Sequence, residues 1–146
     1  MRHPQTLAAE LYRRFPAGKL KSIKDCGCCA FVLMWCLGIE IDDAEAVMAA
    51  ADLISSGAIE SDCTVRWAEA ARQLAGKEVL AVDFQDIKSI KDIKGRTPVR
   101  YDCGLKSHWV GVENGKVAFN PLERSVCVEK GKPSTMRTIH LKGGWK

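Results

Sequence analysis

The chain has no uncharged run long enough to cross a bilayer. Its longest, Cys26 to Ile39, holds 14 residues between Asp25 and Glu40, against the roughly 20 that span a membrane. A buried helix is expected there, and no membrane association. The start, "MRHPQTLAAELYRRFPAG", lacks the unbroken apolar core of a secretory signal. A clean disulfide framework is missing too: the seven cysteines, at 26, 28, 29, 36, 63, 103 and 127, are odd in number. A reduced, cytoplasmic protein without disulfides is therefore expected.

Other absences narrow the chemistry. Structural zinc is usually held by two well-spaced pairs of Cys or His; here one tight cluster, Cys26-Gly27-Cys28-Cys29, has no second pair, so neither a metal nor a cofactor is expected. The formal charge of +4 is dispersed. Its one modest cluster, "DIKSIKDIKGR", interleaves acids with bases, so no nucleic-acid partner is expected. No linker or repeat divides the chain, and at 146 residues with 47% hydrophobic content one domain over 1–146 can bury a core of its own.

The pattern changes once, from helical to strand-like. Leu7, Leu11, Tyr12 and Phe15 recur at helical spacing until Pro16 and Gly18, which predict a loop leading into the cysteines. A second helix is predicted from about Asp25–Cys28 to Gly38. A third starts at Asp42, with Glu45 completing a capping box and Gly57 as its stop; a fourth runs from about Asp62 to Gly76. Beyond that the period becomes two: "EVLAVDF", "TPVRYDC", "HWVGVE", "KVAFN", "SVCVEK" and "TMRTIHL" read as strands. The expected class is α+β, with N-terminal helices on a mostly antiparallel sheet.

The cysteine cluster then poses a chemical question. Cys36, Cys63, Cys103 and Cys127 sit among apolar neighbours or on strand faces and read as small buried hydrophobes. A thiol in the first turn of a helix differs, because free backbone N–H groups and the positive dipole end favour its thiolate. A nucleophile there needs a base and a group that fixes the base's tautomer. His3 lies near the terminus and His140 in the last strand, whereas His108 opens a strand and Asn120 closes the next. The only other asparagine, Asn114, is accounted for by its Asn-Gly turn.

Cysteine on a helix, histidine at a strand start and asparagine at a neighbouring strand end, in that order, resemble the papain-like cysteine peptidase superfamily. "DCGCCAFVLMW" is similar to the nucleophile helix of the bacteriocin leader peptidases and to that of the NlpC-type cell-wall peptidases. "GCCAFVLMWC", "GAIESDCTV" and "HWVGVENGKVAFNPLERSVCVEKGK", over Cys28–Lys132, more closely resemble a small papain-like family of bacterial and phage-associated proteins without an established substrate. The resemblance implies a papain-like fold and a Cys-His-Asn triad acting on a peptide or related acyl bond, a bacterial cell-wall peptide among the conceivable substrates. The Gly-Cys alignment makes Cys28 the nucleophile, the "DCG" alignment makes it Cys26, and the string Cys-Gly-x-Cys points to Cys29. Two departures bear on activity. The usual oxyanion-hole glutamine six residues before the nucleophile is absent, leaving the Ser22 hydroxyl as a donor for Cys28. Asn120 stands where these relatives mostly carry Asp. The alternative to a peptidase is thus a weak or inactive papain-like domain that binds a peptide or partner protein.

Whether His108 meets Asn120 depends on the hairpin between them. A two-residue Asn-Gly loop in a regular ladder would put them on opposite faces. The expectation is a three-residue loop, Glu113-Asn114-Gly115, with Gly115 at positive φ and the other two right-handed.

Overall fold

The computed structural model describes residues 1–144; Trp145 and Lys146, the end of the expected 1–146 domain, lie outside the described residues. The helices are α1 (Pro4–Arg14), α2 (Gly18–Cys26), α3 (Cys28–Cys36), α4 (Asp43–Ser55), α5 (Trp67–Ala75) and α6 (Val126–Lys130). The strands are β1 (Val79–Asp86), β2 (Thr97–Cys103), β3 (Lys106–Glu113), β4 (Lys116–Phe119) and β5 (Lys132–Leu141). They form one sheet in the order β1-β5-β2-β3-β4, with every neighbouring pair antiparallel. The class is α+β. Among the described residues no helix is long and apolar enough to cross a membrane.

α3 organises the core. Apolar all round, it is buried at every position except Trp35, as a helix enclosed on all sides must be. Its far end is fixed to β3 through Trp35, which stacks on Phe119 at 5.8 Å and lies under the Arg96 guanidinium at 4.4 Å. Gly111 of β3 makes that approach possible, because a Cβ there would enter the Trp35 ring. α4 begins as expected: Asp42 accepts from the Glu45 N–H at 2.8 Å while Glu45 accepts from the Asp42 N–H at 3.3 Å.

Three elements differ from the sequence reading. The expected loop before the cysteines is α2. Pro16 and Gly18 stand before and at its start, where neither breaks a helix, and Ile23 gives it a buried anchor. The fourth helix starts at Trp67 rather than near Asp62, because Ile59 and Val65 pair as a short bridge and hold residues 60–64 in a tight loop. "SVCVEK" is no strand: Val126–Lys130 form one helical turn that buries Cys127 against the sheet. Over five residues, alternation and a single helical turn give the same apolar pattern.

The absence of disulfides is corrected as well. Cys26 and Cys63 form one, with Cα atoms 5.0 Å apart across 37 residues of sequence. The other five cysteines are free.

Candidate functional site

The hairpin that carries His108 and Asn120 has a two-residue turn. Glu113 pairs with Lys116, and Asn114 (φ 52°) and Gly115 (φ 75°) are both left-handed, the combination for which Asn-Gly is suited. The expected three-residue loop is therefore wrong, although Gly115 does have positive φ. The loop before β2 selects this turn: the Asn114 N–H donates to the Lys94 carbonyl at 2.8 Å and the Gly115 N–H to the Ile93 carbonyl at 2.7 Å.

The residue needed to change the register lies in β4 instead. Val112 faces Val117 but Gly111 faces Phe119, so a bulge at Ala118 slips the ladder by one. A bulge puts two residues of one strand against one of the other and reverses the facing of everything beyond it. Asn120 thereby reaches the face of His108, and its Oδ1 lies 2.7 Å from His108 Nε2.

That contact defines a tautomer. Asn120 Oδ1 also accepts from the Leu122 N–H at 3.1 Å, so the atom facing His108 is an acceptor. The imidazole Nε2 must then carry its proton, leaving Nδ1 as the basic nitrogen. The Leu122 bond also makes Asn120 the first residue of an Asx turn, a role the sequence did not suggest. His108 is buried, 4% exposed. Burial lowers its pKa, with the Asn120 bond working against the shift, so the ring is neutral at pH 7, the state a general base requires. His3 braces the arrangement by donating from Nδ1 to the Asn120 carbonyl at 3.1 Å.

Cys28 lies across β3 from the imidazole. It opens α3, separated from α2 by Gly27 alone, and its side chain joins Trp109 in the helix-side core. Strand alternation sends His108 to the other face, with Tyr101 and Val110. The thiol and the base flank one stretch of β3 backbone from two sides. Among the described residues no hydrogen bond joins them. Burial raises the Cys28 pKa, while the backbone amides of Trp109, Cys29 and Cys28 itself pull it down. The sequence anticipated only the amides, and burial outweighs them. Cys29 is pushed up more strongly, by burial and then by Cys28, and it donates to the Cys26 carbonyl at 3.2 Å.

Cys28 opens into a cleft of about 260 Å³ lined by the Cys26–Cys63 pair, Asp62, Thr64, Arg100, Ser107 and Trp109 among others. Two candidate residues are displaced from their expected roles. Cys26 is no free thiol, because its sulfur is bonded to Cys63. Ser22 lies outside the cleft and donates to the Gly18 carbonyl at 3.2 Å, the back-bond available to a serine once its segment is helical. Sequence reasoning missed Ser107, Thr64 and Arg100, which bring polar groups to the cleft. Only Ser107, beside His108, carried any signal of its place.

No family model, curated protein or solved structure matches the chain.

Proposed function

We propose that the chain is a papain-like cysteine hydrolase acting on a peptide or related amide, with Cys28 as nucleophile, His108 as base and Asn120 as the group that holds the base. The observation that carries this reading is the pair of buried His108 and half-buried Asn120, closed at 2.7 Å with Nδ1 left basic. Both residues stand out in the sequence alone, as the histidine that opens a strand and the asparagine that closes the next. As Cys28 attacks a carbonyl carbon, its proton passes to His108 Nδ1 and a C–S bond forms. The carbonyl electrons become an oxyanion, for which the amides at the start of α3 are the available donors. His108 then protonates the departing amine, and water cleaves the thioester by the reverse sequence. Cys28 and His108 start on opposite sides of β3 without a mutual hydrogen bond, and His108 is not among the residues lining the Cys28 cleft. This reading therefore requires substrate binding to bring the thiol and Nδ1 together at the end of the strand. Five free thiols support a cytoplasmic setting.

The non-catalytic reading, a papain-like domain that binds a peptide or partner protein, is favoured by one specific feature: burial holds Cys28 in its thiol form. A peptidyl vinyl sulfone separates the two. On the chain treated with a phosphine reductant, the expected result is a single adduct on Cys28, identified by peptide mass spectrometry and lost in His108→Ala. Adducts spread evenly over the cysteines, or adduct formation indifferent to His108→Ala, would refute the catalytic reading.

A further inference from the structure

Four sulfurs meet at one cleft. Cys26, Cys28, Cys29 and Cys63 all line it, two joined and two free. The joined pair ties the last residue of α2 to a loop, 60–64, whose residues are all exposed. The loop's hydrogen bonds fall within the segment from 58 to 66: Glu60 N–H to the Thr64 carbonyl, Cys63 N–H to the Glu60 carbonyl, Thr64 N–H to Asp62 Oδ1, and Arg66 N–H to the Ala58 carbonyl. Glu60 and Arg66 add an exposed ion pair at 3.6 Å. Ala58 and Ile59, buried at its base, anchor it. Among the described residues, its tie to α2 is through Cys63: the disulfide, and a long sulfur contact of 3.9 Å to the Asp25 carbonyl.

Size gives the tie its meaning. Ligand sites commonly run from about 300 to 1,000 Å³, and this cleft, at about 260 Å³, falls below that range. Asp62, Cys63 and Thr64 supply one part of its lining, and Cys28, which lines it too, is only 8% exposed. The sulfur a reductant would meet is that of Cys63, on the exposed loop, rather than that of Cys26, which is 5% exposed.

We propose that the Cys26–Cys63 disulfide is a redox modification site that closes the Cys28 cleft, and that a thiol reductant opens it by releasing loop 60–64. This rests on the reading of Cys28 as nucleophile, whose regulation it supplies. A reductant thiolate attacks Cys63 Sγ, the S–S bond breaks and Cys26 leaves as a thiolate that takes up a proton. A second reductant thiol displaces the first from Cys63, which is released as a thiol. Two electrons pass to the protein and the reductant ends as its own disulfide. A reducing compartment holds the cleft open; an oxidising one holds it shut.

The test is the rate at which iodoacetamide modifies Cys28, followed residue by residue by mass spectrometry, before and after a phosphine reductant. Reduction should speed Cys28 at least tenfold while Cys36, buried on α3, stays slow. Cys63→Ser should be fast from the outset and indifferent to the reductant. An unchanged Cys28 rate in the reduced wild-type chain would overturn the proposal. So would acceleration of Cys36 in parallel, which would mean general unfolding. Because the wild-type chain is reduced in place, the test survives a variant that fails to fold. Alkylation reads access and not turnover: a cleft that opens on reduction yet never takes the vinyl sulfone in a His108-dependent way would refute the hydrolase and leave the gate standing.

Discussion

The two sides of β3 are built on opposite principles. On one, His108 and Asn120 come from a single hairpin, 12 residues apart, and are locked by hydrogen bonds from the Leu122 amide and His3. On the other, the Cys28 cleft is assembled from α2, α3, the 60–64 loop, β2 and β3, and one covalent bond closes it. The first side is local and polar around a buried imidazole, so its hydrogen bonds resist breaking, since that would strand His108 without a partner. The second is long-range and rimmed by an exposed loop, so its shape depends on the tether.

The largest expected effect separates chemistry from stability. Cys28→Ala should abolish hydrolysis while costing about 1 kcal/mol or less of stability, since it removes one sulfur from the core. His108→Ala should abolish hydrolysis and also lower stability by about 1–3 kcal/mol, because Asn120 loses its buried partner. Assays on a panel of fluorogenic peptides, with denaturant melts in parallel, would show it. Equal stability losses from the two variants would erase the contrast between the sides.

Next comes Asn120→Ala. Leaving both His108 Nε2 and the Leu122 N–H unpaired should cost about 2 kcal/mol, and turnover should fall without vanishing, since the base keeps its proton chemistry but loses its orientation. A variant with wild-type melting would mean that the hairpin's polar lock is not what holds it.

A smaller effect should appear with pH. The His108 pKa is lowered in the folded protein from the ordinary value of 6.5, chiefly by burial. The unfolded chain therefore binds the proton first as pH falls. Stability contributed by the neutral ring is complete above 6.5, is lost as pH drops from 6.5 through the lowered value, and levels off once both states are protonated. Denaturant midpoints measured from pH 7.5 to 4.5 should show this fall in the wild type and less of it in His108→Gln, which keeps a donor for Asn120 but does not titrate. An identical decline in both would assign the acid sensitivity elsewhere.

The smallest effect belongs to Ser22→Ala. The hydroxyl is occupied by a helix carbonyl, so stability should move by no more than about 0.5 kcal/mol and the vinyl sulfone rate by less than about twofold. A loss approaching the roughly hundredfold that follows removal of an oxyanion donor would return Ser22 to the site.

What the sequence determined was whatever local periodicity and residue chemistry encode. The uncharged run from Cys26 to Ile39 dictated a buried helix, Asp42 and Glu45 dictated a cap, alternating residues after Glu78 dictated strands, and the scarcity of histidine and asparagine singled out His108 and Asn120. Short segments escaped because their patterns are ambiguous: α2 hid behind Pro16 and Gly18, and the single turn α6 mimicked a strand. The tertiary structure alone decided the rest. Contacts with Ile93 and Lys94 chose the left-handed turn, and the bulge at Ala118, invisible in an alternating pattern, delivered Asn120 to His108. Packing around α3 overrode the helix-start amides at Cys28, because burial penalises a thiolate whatever its position along the helix. The Cys26–Cys63 bond needed two Cα atoms 5.0 Å apart, a distance that a sequence separation of 37 does not specify until the helices have packed.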